Sequence, residues 1–149
     1  MINIEQYYFK KIKYSVEYAD QAKTVCITSN CLSDDCLPYR ESEYCLLWLS
    51  PDRELWGIEC IFPTRKESIL DYSSYKIPSV NSSNFIVRPI HEKNRISSLY
   101  FDSKDQKHFF LIFDEAREPD RKFCFENVIF YIFNQEIIAI ECRDAEILP

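Results

Sequence analysis

Glu54-Leu55-Trp56-Gly57-Ile58-Glu59-Cys60 returns 82 residues later as Glu136-Ile137-Ile138-Ala139-Ile140-Glu141-Cys142. Four of the seven pairs are identical, and the other three are apolar or small in both copies. The offset also holds upstream, where Leu46-Leu47-Trp48-Leu49 matches Val128-Ile129-Phe130-Tyr131 and Asp52-Arg53 matches Asn134-Gln135. Two apolar runs separated by a turn read as a β-hairpin. Their repetition therefore predicts two related halves, about 14–62 and 96–143, in one domain of 1–149 with a connector over 63–95.

Residues 14–18 and 24–28 alternate as paired strands, and Ser98–Phe101 with 108–113 forms a similar hairpin in the second half. Residues 29–42, with Asp34, Asp35 and Pro38, read as a loop. Residues 44–50 then form a strand buried on both faces, and 54–62 its partner, with Trp56, Ile58, Cys60 and Phe62 on one face by the period of two. Residues 123–133 read as one long apolar strand interrupted by Glu126 and Asn127, turning at Asn134-Gln135 into 136–143. In the connector, Thr64 and Glu67 have the spacing of a capping box, which predicts a short helix over 65–72. The rest of the connector is a polar crossing loop with an edge strand at 85–87. Residues 1–13 fit an edge strand or a short helix equally. The fold class is mainly β, or α+β if the connector helix is counted. Two antiparallel meander halves pack as a sandwich or as one curved sheet.

Bulk composition narrows the function. The 149 residues are 46% hydrophobic and 28% charged, as in a globular protein rather than a disordered one. Aromatic residues reach 15%, which suits strands and large cores. Glycine occurs once, so no Gly-rich phosphate cradle is present. The net charge of −6 disfavours direct nucleic-acid binding and suits a basic partner. No basic-then-apolar leader opens the chain and no run of apolar residues is long enough for a membrane-spanning helix, so a cytoplasmic location is expected. The seven cysteines fit a reducing compartment, and Cys45, Cys60, Cys124 and Cys142, set in apolar strands, read as core residues.

The ending Ala139-Ile140-Glu141-Cys142-Arg143-Asp144-Ala145, with its counterpart Gly57-Ile58-Glu59-Cys60, resembles a small bacterial β-meander family of unknown function. Members of that family close on a Gly-Ile-Glu-Ile segment followed shortly by Asp-Ala. The first copy departs from the pattern at Phe62-Pro63. The resemblance implies a fold and carries no catalytic residue. In general character (small, acidic and without a catalytic motif) the chain is similar to the immunity proteins of contact-dependent growth inhibition and other polymorphic toxin systems. That similarity implies a partner: a cognate basic toxin domain, frequently a nuclease.

The candidate partner-binding residues lie in two acidic segments. The first holds Asp34, Asp35, Tyr39, Glu41 and Glu43; the second holds Asp114, Glu115, Glu118 and Asp120. Carboxylates there would oppose Lys and Arg while aromatic rings anchor the contact. No catalytic residue, metal or cofactor is expected.

Rival readings make the chain a metal- or thiol-dependent hydrolase. Cys26, Cys31 and Cys36 recur every five residues beside Asp34 and Asp35, a poor zinc spacing. His91 and His108 are the only histidines, and His108 with Cys124 would make a nucleophilic pair. Glu59 and Glu141 occupy matching places, as two glycosidase carboxylates would flank a bond. A last alternative is a homodimer joined through the apolar strand Val128–Phe133.

Overall fold

A computed structural model of the chain describes residues 1–66, 72, 76–81, 83–93 and 95–149. These residues form strands and turns, with no helix among them. The first series is β1 (Ile2–Phe9), β2 (Tyr14–Ala19), β3 (Thr24–Ser29), β4 (Leu37–Ser42), β5 (Cys45–Leu49), β6 (Leu55–Ile61) and β7 (Thr64–Lys66). After β8 (Ser79–Asn81) come β9 (Ser83–Pro89), β10 (Ser98–Phe101), β11 (Phe109–Ile112), β12 (Arg121–Cys124), β13 (Val128–Phe133), β14 (Glu136–Cys142) and β15 (Glu146–Leu148).

The first sheet runs β15-β2-β3-β6-β5-β4, and the second runs β7-β10-β11-β14-β13-β12-β8. Each strand of the first series therefore corresponds to the strand eight later, and the two orders coincide except for β8, which has no counterpart beside β4. The closing strands are exchanged: β7 pairs parallel with β10 of the second half, and β15 pairs parallel with β2 of the first. The opening strands, β1 and β9, pair antiparallel with each other.

The correspondence extends to single hydrogen bonds. In both hairpins one ladder position is skipped, at Trp56 in β6 and at Ile138 in β14, which are 82 residues apart. Arg53 (φ 67°) and Gln135 (φ 68°) take the left-handed conformation at matching turns, as do Phe62 (φ 52°) and Asp144 (φ 54°) after the matching strands. Ile61 N donates to Tyr44 O and Arg143 N to Asn127 O, both at 2.8 Å. At the junction of the halves, Ile4 N donates to Gln135 O (2.6 Å) while its strand partner Val87 donates to Arg53 O (3.0 Å). The offset is 82 for β6 and β14 but 83 for β5 and β13, because Cys45 lies opposite Cys60 where Val128 lies opposite Cys142.

The sheets face each other across one core. Tyr18 of the first sheet meets Phe101 of the second with ring centroids 5.3 Å apart, and Phe85 of β9 wedges between Phe123 (4.9 Å) and Phe130 (5.2 Å). This is the sandwich alternative, with the β1–β9 ribbon tying the two hairpin turns together.

Four local expectations differ. Thr64–Lys66 is a strand rather than the start of a helix, because pairing with β10 outweighs the capping-box spacing; residues 67–71 of the predicted helix lie outside the described residues. Leu37–Ser42, read as loop, is β4, whose Pro38 and charged residues hide its alternation. The long strand over 123–133 is two strands folded back at 125–127, with Phe125 N donating to Val128 O (2.8 Å). Phe62 leaves the face of its neighbours and is exposed, since its positive φ turns the chain out of the sheet.

The single glycine has a packing reason. A Cβ on Gly57 would stand 3.3 Å from Trp48 Cδ1, on the cross-strand partner that lies over it. Gly57→Val is expected to displace the indole and cost about 1–3 kcal/mol in urea unfolding, with a shift in tryptophan emission.

Candidate functional site

Cross-strand partners point to the same side of a sheet. The outer face of the first sheet is thus a register row of Glu146, Glu17, Cys26, Glu59, Leu46 and Arg40 across six strands. The next row brings Thr28, Gly57, Trp48 and Pro38 together. Glu146 and Glu17 are adjacent, and Glu59 stands two strands beyond Glu17, about 10 Å away. None of the three makes an ion pair among the described residues. Adjacent like charges weaken a sheet, so stability does not account for the row. Its field is felt by Cys26, whose thiol pKa is pushed up to about 11 by burial and then by Glu59 and Glu17.

The outer face of the second sheet is built differently on the same plan. Tyr100, Phe110, Glu141 and Ile129 replace Glu17, Cys26, Glu59 and Leu46. Tyr72 from the connector lies on this face, 4.5 Å from the Tyr131 ring and 5.9 Å from Phe110, with Ile77 packed beside it. Glu141 is buried but satisfied: it accepts from Tyr131 Oη (2.7 Å), His108 Nε2 (2.9 Å) and Arg143 Nε (3.0 Å). Asp102 takes the other nitrogen of His108 at 3.3 Å. Backbone donation from Lys104 holds the Asp102 carboxyl below its usual range, with His108 adding to it.

Two buried tyrosines record the cost of burying charge. The Tyr131 pKa is driven far up by burial and by its bond to Glu141, and that of Tyr14 by burial above all. A raised folded-state pKa contributes stability that is present below the unfolded value, near 10, and is lost as pH rises toward the folded one. Urea midpoints are therefore expected to hold to pH 9 and fall above about 10. Tyr14→Phe removes a hydroxyl that has no partner, and should flatten part of that fall without lowering the neutral-pH midpoint.

The sequence-predicted acidic residues divide sharply. Asp34, Asp35, Glu43 and Glu118 are exposed and carry no ion pair among the described residues. Tyr39 packs against the core, so it is an anchor for β4 rather than a free ring. Glu41 is fully buried against Arg95 and the Met1 nitrogen, and presents no carboxylate to a partner. Asp114 pairs with Arg117, which also holds Glu136. Glu115 is held by Tyr100 (2.7 Å) and Lys66 (3.5 Å), and Asp120 accepts from Asn134 N (2.9 Å). The second acidic loop is thus largely neutralised from within.

The pairs named for the catalytic alternatives lie apart. His108 is clamped by Asp102 and Glu141, while Cys124 lies on β12, about 14 Å across two intervening strands from β11. His91 caps the backbone of Arg40 (3.0 Å) on the other sheet. Glu59 and Glu141 sit on different sheets and face away from the common core. Cys26, Cys31 and Cys36 are free thiols, and no group of three potential metal ligands occurs among the described residues. Val128–Phe133 is an interior strand between β12 and β14, not an available dimer edge. No described helix is long and apolar enough to cross a membrane.

Sequence reasoning missed the row of Glu17, Glu59 and Glu146 because its members are scattered over the chain; only sheet register unites them. The signal within reach was the alternation of 14–18, which puts Glu17 opposite in sense to Val16 and Tyr18. No protein-family model matches the chain, and no curated protein matches it.

Proposed function

We propose that this chain is an immunity-type protein that binds a cognate bacterial toxin domain with a cationic substrate cleft, such as a nuclease, and occludes it. The observation that carries this reading is the outer face of the first sheet, where Glu17, Glu59 and Glu146 have no ion pair among the described residues and stand beside Leu46 and Trp48. A β face of this kind offers a large preformed surface, and its uncompensated charge steers a basic domain toward it. The exposed Asp34, Asp35 and Glu43 extend the negative field from the turns around β4. The inhibitor works by covering the cleft and excluding nucleic acid; no chemistry is asked of it.

The test is direct association with the toxin domain encoded beside this gene. A 1:1 complex is expected whose association rate falls about tenfold or more between 50 mM and 500 mM salt. Absence of a complex at micromolar concentration in low salt sinks the proposal.

A further inference from the structure

The internal repeat shows what the first sheet lacks. On the second sheet, the carboxylate of Glu141 has two cationic or potentially cationic neighbours, His108 and Arg143, and the adjacent Tyr131 ring is covered by Tyr72. Carried through the register of the ladders, Glu141 corresponds to Glu59 and Tyr131 to Trp48. Arg143 corresponds to Ile61, and His108 to Thr24. Both basic donors to the buried carboxylate are thus replaced by neutral side chains, and the third donor, the Tyr131 hydroxyl, by the indole of Trp48. The covering aromatic has no counterpart among the described residues on the first sheet. Glu59 keeps its carboxylate and Trp48 keeps its ring, for which Gly57 leaves room: a Cβ there would stand 3.3 Å from Trp48 Cδ1.

From this we infer that the first sheet binds an arginine side chain of its protein partner, with the guanidinium paired to Glu59 and stacked on Trp48. Arginine fits better than lysine because its planar fork pairs with a carboxylate through two bonds while its face lies on an aromatic ring. Glu17 and Glu146, further along the same row, accept a second basic residue of the same partner segment. The chain thus supplies internally, on one sheet, the cation and cover that the partner supplies on the other. This deepens the proposed function and rests on it for the identity of the partner, though the pairing chemistry is separable from it.

The experiment uses the full chain carrying Trp56→Phe, so that emission reports Trp48 alone. Two probes are titrated: a blocked peptide of alternating Arg and Ser, and its Lys-for-Arg twin of equal charge. The Arg peptide is expected to quench Trp48 and to bind several-fold more tightly than the Lys peptide. Glu59→Gln is expected to weaken it about tenfold, while Glu126→Gln, at the exposed turn between β12 and β13 of the other sheet, changes it less than twofold. Equal binding of the two peptides, or binding indifferent to Glu59→Gln, overturns the inference. Circular dichroism of each variant, matched to the parent, keeps a folding defect from imitating lost binding. In parallel, the neighbouring toxin domain is titrated against the same variants. If it binds Glu59→Gln as tightly as the parent, the arginine site fails while the immunity reading stands. If the toxin domain is not bound by the parent at all but the Arg peptide is, the immunity reading fails and the arginine site stands.

Discussion

Glu41→Ala is expected to remove about 3–5 kcal/mol of folding stability, a large share of the roughly 5–15 kcal/mol typical of a single domain. Glu41 looks from its neighbours Arg40, Ser42 and Glu43 like a solvated loop residue, yet its side chain is completely buried. It receives Arg95 Nε and Nη2 together with the Met1 nitrogen. Arg95 is itself only 13% exposed, lies 4.7 Å above the Phe113 ring, and has one buried nitrogen, Nη1, without a partner. Burial opposes the charge on Arg95 and Glu41 sustains it, with a net rise in the guanidinium pKa. Deleting the carboxylate leaves that cation, among the described residues, with only the carboxylate of Glu92, at 3.2 Å and on the solvent side. Removing one partner of a buried pair is far more damaging than the pair is stabilising. Because Glu41 belongs to β4 and Phe113 follows β11, the arginine also staples one sheet to the other. Urea unfolding of Glu41→Ala and Glu41→Gln separates the two contributions. The amide keeps hydrogen bonding and should lose about half as much; a loss below about 1 kcal/mol for alanine would show the cluster to be solvated.

That cluster marks where sequence reasoning ends. Local periodicity identified the hairpins, since 46–60 and 128–142 repeat a pattern whose residues are neighbours along the chain. It placed the tight turn at Asn134-Gln135, where both residues take positive φ. It did not find β4, because Pro38, Arg40 and Glu41 interrupt the alternation that the ladder with β5 nevertheless imposes. The helix predicted from 65 onward gave way at its start to a strand pairing 34 residues distant, Thr64 with Ser98. The candidate site fared worse for the same reason. Runs such as Asp34-Asp35 are visible in a sequence, whereas Glu146, Glu17 and Glu59 fall into one register row only when β15 crosses to β2 and β3 comes to lie beside β6. Contiguous charge drew attention to a second loop whose acids, Asp114 and Glu115, already have Arg117, Lys66 and Tyr100 to satisfy them.

The exchanged strands lead to the largest effect of all. A chain cut between residues 74 and 75 should yield two fragments that are each unfolded alone and regain the native fold on mixing. Each fragment holds five consecutive strands of one sheet, β2 to β6 or β10 to β14, and could in principle form that meander. Each would then expose the face that the other sheet covers, including Leu47 and Ile58 on one side and Phe109, Phe130 and Ile140 on the other, all essentially without solvent contact in the whole chain. At roughly 2 kcal/mol for each large apolar side chain, these five alone represent about 10 kcal/mol, on the order of the whole stability of an ordinary domain. The edges fare no better. The β2 edge is completed by β15 of the other fragment, the β10 edge by β7, and β1 has β9 as its main partner. A half-chain therefore lacks both its cover and its two flanking strands, and these are what its counterpart carries. Mixing at equal concentration should restore the near-ultraviolet circular dichroism of the intact protein and a single species of its full size in chromatography. If either fragment alone gave a cooperative unfolding transition as a monomer, the strand exchange would be ornament on two independent domains. If it did so only as a dimer, a second copy would be standing in for the missing half, as the matching orders of the two sheets permit.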